Sequence, residues 1–586
     1  MTLINNIRSL SRFWLLILLP ASLILNSCST FQTPAGEVQS SPATSKPGRI
    51  TPTPFQPILD TATTLPEEGS LPTETPSIEA TSSPTPDIES PTKLIWLPSY
   101  LPADMVSLVS LPHDFTQSTS KDSSQVQLMV DGKEPIGQWV YAVVAPYPTI
   151  TDNVSIGDVK QSWQGISMGP FAGRPLLMNE STFGVFSAWW GAPAPDAVRV
   201  IPSVELLETA WQQRPSWGII PFGALEPGWK VLAVEGQSPL LKEFDPSSYP
   251  LIVPFSLQGD SQLINEVREN ISGTLTNRDP DLLTTVAVTG VTALVRATAF
   301  TMHRNGITYP ARDIGQILRD ADITHISNEI PFTPDCPFPN PTQEDLRFCS
   351  RPEYIELLEE VGTDVVELTG DHFGDWGPEA MRFTLDMYTQ RNWIYYGGGY
   401  DREDARQPRL IEHHGNRIAF IGCNGKGGGY ATASDNQPGA VACDFNWMQS
   451  EIARLGEEGY QVIVTFQHFE YYTYYPQPDQ VRDFRTLADA GAAVVSGSQA
   501  HQPQGMEFYE NAYIHYGLGN LFFDQYHFCT DYACDDGFID LHVFYAGKYL
   551  GNVLIPIVFE DYARPRPMTA EEKAVILTKV FSASNW

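Results

Sequence analysis

The chain has 586 residues, 42% of them hydrophobic and 11% aromatic, so it has room for more than one domain and enough apolar side chains to fill real cores. Its formal net charge of -33 argues against nucleic acid as a partner, because nothing would neutralise the phosphates. The same acidity favours solubility and says little about chemistry.

At the start of the chain, Arg8 and Arg12 precede the apolar run Phe13 to Leu25, which is shorter than a comfortable membrane span. The run ends in Leu25-Asn26-Ser27-Cys28, which resembles the bacterial lipobox. Residues 1–28 are therefore expected to be a lipoprotein signal peptide, with Cys28 lipidated. That would make the protein an extracytoplasmic lipoprotein of the bacterial cell membrane. Residues 29–93 are mostly Ser, Thr and Pro with scattered acids, too poor in large apolar side chains to offset the entropy of ordering. They read as a disordered tether.

Beyond Cys28 the cysteines are Cys336, Cys349, Cys423, Cys443, Cys529 and Cys534. An even count in an exported chain suggests disulfides, whose pairing the sequence alone does not choose; neighbours (336–349, 423–443, 529–534) are the favoured set. None has CxxC spacing, which disfavours a cysteine zinc site.

Residues 94–275 carry apolar runs at 138–145, 182–186 and 217–222, with a helix-like stretch at 204–211, and read as an α/β module. Val140-Tyr-Ala-Val-Val-Ala-Pro146, Val154 to Gly165, Trp217-Gly-Ile-Ile-Pro-Phe222 and Ser247-Ser-Tyr-Pro-Leu251 resemble landmarks of type 2 periplasmic substrate-binding proteins of the phosphate-binding kind. That resemblance implies a small anionic ligand. A scaffold or docking role is the alternative.

From 284 the pattern alternates: strands at 285–289, 322–327, 364–369, 417–422, 461–467 and 492–496, and helices at 311–320, 352–361, 378–390, 446–458 and 478–490. Such spacing means βα units packed on a sheet, with residues 566–586 left as a tail. Polar residues fall just after the strands: Asn328-Glu329, Asp371-His372 with Asp375, His468 with Glu470, Gln499 with His501, then Asn520 and Asp524. Open α/β sheets build their sites at this carboxyl edge. The nitrogen and oxygen donors suit a divalent ion such as Mn, Fe, Zn or Mg. Gly425-Lys-Gly-Gly-Gly429 lacks the spacing of a phosphate loop and reads as a loop near the site. The tyrosines of 471–475 suit either a polymer or sugar groove or plain core cover.

Gly370-Asp-His-Phe-Gly-Asp-Trp-Gly377, His468-Phe-Glu-Tyr-Tyr472 and Gly519-Asn-Leu-Phe-Phe-Asp524 resemble, in order, motifs of the CapA family of capsule and poly-γ-glutamate synthesis proteins. The middle region, Tyr396 to Gly422, is similar as well, so the resemblance covers about 284–560, within a domain expected at 284–565. It implies a calcineurin-like metallophosphatase fold, an αββα sandwich. It also implies Asn328, Asp371, His468 and His501 as metal ligands and His372 as acid or base. Glu329, Asp375, Glu470, Gln499, Asn520 and Asp524 would then contact substrate.

Two departures stand out. Val291 replaces a metal-bridging aspartate, and Gln499 replaces a histidine, so at least one of two metal positions is weakened. The sequence therefore supports a surface-anchored protein acting in synthesis, release or anchoring of an extracellular polymer, by metal-assisted hydrolysis or transfer if it is catalytic. The competing reading is a binding or scaffold lipoprotein that kept the fold and lost catalysis.

Overall fold

The structure, a computed structural model, describes residues 93–586 apart from 110, 131–132, 167, 272, 274, 427–428 and 526–533. The signal segment, Cys28, nearly all of the tether and Cys529 lie outside the described residues. Residues Asp87–Trp586 form one compact unit.

The first part of that unit is an 11-stranded mixed sheet centred on Gly137–Pro146, whose inner residues are almost continuously buried. Ile252–Gly259 and Trp217–Pro221 flank this strand antiparallel, and the late strand Leu275–Thr276 pairs with its start. The apolar run at 182–186 lies inside the helix Glu180–Trp190. Asn179 decides this locally: its side chain accepts from the backbone N–H of Thr182 at 2.8 Å and caps the helix.

The second part has two sheets. In the larger, Leu283–Thr289, Ile323–Asn328, Val365–Glu367 and Ile394–Tyr396 run parallel, and Leu283–Thr289 pairs antiparallel with Asp536–Tyr545 on its other side. In the smaller, Asn416–Asn424, Gln461–Gln467, Val494–Ser496 and Ala512–His515 run parallel. Val286, Val288 and Phe538 of one sheet meet Phe420, Ile463 and Val494 of the other in a common core. The helix Gly377–Gln390 covers the outer face of the larger sheet through Met381, Leu385 and Tyr388. Phe445–Glu457 and Pro478–Asp489 cover the smaller one through Met448, Ile452 and Phe484. Layer order is helix, sheet, sheet, helix: an αββα sandwich.

Expected helices at 311–320 and 352–361 are each a 3₁₀ turn followed by one short helix, Gly315–Asp320 and Ile355–Glu360. The segment read as a tail carries the helix Ala570–Ser582, whose Ile576, Leu577 and Val580 enter the core between the sheets. A reciprocal Thr569/Glu572 capping box starts it. The helix Arg296–Asn305 had no counterpart in the sequence pattern. No local side chain caps it. Its cap comes from Asp524, whose Oδ2 accepts from the backbone N–H of Ala297 at 2.9 Å.

Cys336–Cys349 and Cys423–Cys443 are disulfide-bonded. The first closes the loop after Glu329 and the second ties the end of Asn416–Asn424 to the start of the following helix. Cys534 is buried and also disulfide-bonded.

Candidate functional site

Parallel strands deliver the chain to one edge of the sandwich. Glu329 follows Ile323–Asn328, Asp371 and His372 follow Val365–Glu367, and Lys426 follows Asn416–Asn424. Glu470 follows Gln461–Gln467 and His501 follows Val494–Ser496. These residues, with Arg296, Phe348, Tyr430, Tyr472 and Phe523, line a cleft of about 700 Å³. Gly370 permits the closest approach, since a Cβ there would fall 2.7 Å from Cα of Glu329.

Glu329 is fully buried, and neither carboxylate oxygen has a hydrogen-bond partner. Nε2 of His501 lies 3.8 Å from its Oε1 and 4.0 Å from Oε1 of Glu470. Ligand atoms of Glu329, Asp371 and His372 fall within 4.8 Å of one another. Burial raises the Glu329 pKa, opposed by His501 and His372. Nδ1 of His372 is 2.8 Å from Oδ2 of Asp375. Burial works against its charged form, but Asp375, Glu329 and Asp371 outweigh burial and push its pKa up to about 9. Asp371 accepts from Nε2 of Gln467 at 2.9 Å and from Nζ of Lys426 at 2.9 Å. Lys426 also donates to Oε1 of Glu470. Burial would raise the Glu470 pKa, but His501 and Lys426 prevail and hold it at about 2.

Of the residues singled out in sequence, Glu329, Asp371, His372, Glu470 and His501 meet in the cleft. Tyr472, from the tyrosines of 471–475, lines it as well, and the other candidate ligand and substrate residues do not. His468 points its Nε2 at Asp483 (3.0 Å), on the helix Pro478–Asp489. Asn328 donates to the carbonyl of Ile330 at 2.8 Å and Gln499 to Oγ of Ser327 at 2.8 Å. Asn520 accepts from Nδ1 of His501 when that nitrogen is protonated (2.9 Å), so it orients that ring. Asp375 holds His372, accepts from the backbone N–H of Phe348 at 2.7 Å, and accepts from the hydroxyl of Tyr430 at 2.6 Å. Asp524 caps the Arg296–Asn305 helix. Lys426 and Arg296 were missed. Lys426 had a signal, a lone cation in the glycine loop after a strand. Arg296 had none, because the backbone of its segment gives no local helix cue.

The donors fit one divalent cation. An unpartnered buried carboxylate is unfavourable by several kcal/mol unless it is neutralised or paired. Asp371 and His501 stand around Glu329 to complete a mixed oxygen and nitrogen set, with His372 beside them. A second position does not fit. Val291, Ala293, Val295, Ile330, Phe348 and Phe523 form a separate apolar cluster where the family's bridging carboxylate stands, and the Arg296 guanidinium lies 4.4 Å from the centre of the Phe348 ring.

Together these features define an αββα-sandwich protein with a carboxylate–histidine cleft at the carboxyl ends of its parallel strands. Residues 282–525 match the family described as "Bacterial capsule synthesis protein PGA_cap", and curated CapA proteins are similar over the same domain, which supports the CapA family for it. The chain is 23% identical over 274 residues to the capsule biosynthesis protein CapA of Bacillus anthracis, covering 46% of this chain and 66% of that protein. It is 26% identical over 183 residues to the PGA biosynthesis protein CapA of Bacillus subtilis (strain 168), covering 31% of this chain and 48% of that one. An ABC-type phosphate transport receptor from Vibrio cholerae overlaps 30% of the chain and 93% of its own at 14% identity, with a TM-score of 0.25, too loose to carry an argument.

Proposed function

We propose that this protein is an envelope-anchored capsule-synthesis protein whose cleft holds one divalent cation and an anionic stretch of extracellular polymer of the poly-γ-glutamate type. It would act in synthesis, release or anchoring of that polymer. The observation that carries the reading is the buried, unpartnered carboxylate of Glu329 facing His501, Asp371 and His372 in an open cleft. Glu329, Asp371 and His501 would hold the ion, which when bound supplies Lewis-acid polarisation of an amide or phosphoester oxygen. Asp375 fixes the His372 ring through Nδ1, leaving its other nitrogen to move a proton to or from the reacting group. Lys426 offsets the charges of Asp371 and Glu470 so that the cleft can admit polymer carboxylates, and Arg296, Tyr472 and Phe523 form its walls. The anchor is Cys28, with residues 29–93 as a tether from the membrane.

The test is metal analysis of purified protein beside its Glu329→Gln variant, with poly-γ-glutamate chain length followed over time. About one ion per chain in the parent, little in the variant, and metal-dependent shortening or transfer support the reading. A metal-free parent that leaves the polymer intact rejects it. For the anchor, Cys28→Ser should abolish detergent partitioning or leave an uncleaved precursor; unchanged partitioning together with an unchanged N-terminal mass rejects lipidation. The second reading, a polymer-binding protein without catalysis, is favoured by the apolar cluster around Val291. It predicts binding of the polymer with no change in its length.

A further inference from the structure

Away from the cleft, the 11-stranded sheet meets the sandwich around Tyr147, whose ring packs on Phe508 at 5.0 Å and whose hydroxyl donates to Oδ1 of Asn552 at 2.9 Å. Beside this contact lies a cavity of about 190 Å³, walled mainly by apolar side chains that include Val231, Leu577 and Phe581.

Its polar groups do not balance. Lys230 from the sheet and Lys573 from the C-terminal helix both reach Asp152, with Nζ 2.7 Å from Oδ1 and 2.7 Å from Oδ2 respectively. Two ammonium groups share one carboxylate, which leaves one positive charge over at the edge of an apolar cavity. Lys230 is also bound to the carbonyls of Thr149 and Ile150, and Lys573 to that of Leu554, but these dipoles carry no formal charge. Burial lowers the Lys230 pKa to about 8, against the pull of Asp152, so the pair is already under strain as charged groups. In the same cavity Asn552 is 6% exposed, and its Nδ2 has no hydrogen-bond partner. A buried donor left unpaired is unfavourable by about 1–3 kcal/mol.

We propose that this cavity is a binding site for a small apolar molecule carrying one anionic group, a monocarboxylate. The anion pairs with the surplus ammonium charge, an acceptor oxygen takes the Asn552 amide, and the apolar body lies on Leu577 and Phe581. The volume falls below the roughly 300 Å³ at which drug-sized sites begin, so the ligand is of single-ring or short-chain size. Because the walls come from both the sheet and the sandwich, an occupant also strengthens the junction between them.

Benzoate is the probe, titrated into the full chain with binding followed by calorimetry and by the thermal midpoint. Benzyl alcohol serves as the neutral control and phthalate as the dianion. Saturable benzoate binding is expected, with benzyl alcohol and phthalate each at least tenfold weaker. Lys573→Met should weaken benzoate at least tenfold, while Lys573→Arg, which keeps the charge, stays within about threefold of the parent. Absence of saturable benzoate binding at millimolar concentration would overturn the proposal. Equal binding of benzoate and benzyl alcohol, or benzoate binding unchanged in folded Lys573→Met, would overturn it too.

Discussion

Nζ of Lys426 lies 2.9 Å from Oδ2 of Asp371 and also donates to Oε1 of Glu470, so one fixed cation joins two carboxylates that arrive on separate strands. Burial disfavours the charged lysine, yet Glu470 and Asp371 outweigh it and raise its pKa. The ammonium thus stands between acidic groups that would otherwise attract a metal. Lys426→Met leaves those carboxylates facing each other without a counter-charge. The variant should be destabilised by about 1–3 kcal/mol without metal, between the limits for exposed and buried pairs. Elemental analysis should show more divalent ion bound than in the parent. An unchanged metal count would mean that Lys426 does not compete with cations here.

Glu329 has the opposite problem, a buried carboxylate with no partner. Glu329→Gln removes a charge that the metal-free fold must either desolvate or protonate. The variant should therefore be as stable as the parent or more stable in chelator, and it should lose the rise in thermal midpoint that added Mn produces in the parent. A parent midpoint that ignores Mn would remove Glu329 from the list of ligands.

Much of this site was legible because parallel strands leave apolar runs of recognisable length and hand the chain to loops at one edge. The strand expected at 461–467 is found at Gln461–Gln467, and the polar residues beyond it do reach the site region. Which way each of those side chains turns was not legible. His468 and Glu470 are two residues apart, yet Glu470 enters the cleft while His468 is drawn to Asp483 on the helix Pro478–Asp489. The deciding partner lies outside any local window. The same holds for Arg296–Asn305, a helix whose cap sits on Asp524. Thr569 and Glu572, by contrast, were a local helix signal that the sequence reading passed over.

The cap itself carries a pH signature. Burial raises the Asp524 pKa to about 7, opposed by its bond from Ala297 and by the charge of Arg296. A carboxyl group whose folded pKa lies above its unfolded value of 3.8 binds more protons folded than unfolded between the two. Stability therefore falls as pH rises from about 4 to about 7, and the group's contribution is flat on either side. Asp524→Asn keeps an acceptor for the Ala297 amide and cannot ionise. Its unfolding free energy, read from denaturant titrations, should lose this slope and exceed the parent's at pH 8 by up to about 4 kcal/mol. A parent and variant that stay parallel from pH 4 to pH 8 would mean Asp524 is ionised at a normal pKa.

The two departures from the family pattern can be reversed, and the structure says what should happen. Val291 is fully buried on a short strand paired with Ser327 and Asn520, among Ala293, Ile330, Phe348 and Phe523. Aspartate there places a charge in an apolar cluster, an unfavourable change of about 3 kcal/mol or more without a cation. Gln499→His alone breaks the hydrogen bond from the Gln499 amide to Oγ of Ser327 and should be milder, about 1 kcal/mol. The double variant Val291→Asp with Gln499→His is therefore expected to be less stable than the parent in chelator and to regain its midpoint when Mn is added. It should then bind more metal than the parent. Recovery in Mn without a rise in the metal count would show that the ion had only moved within the existing position. No recovery at all would mean that the apolar cluster and the Arg296 guanidinium over Phe348 keep the second place closed whatever ligands are supplied.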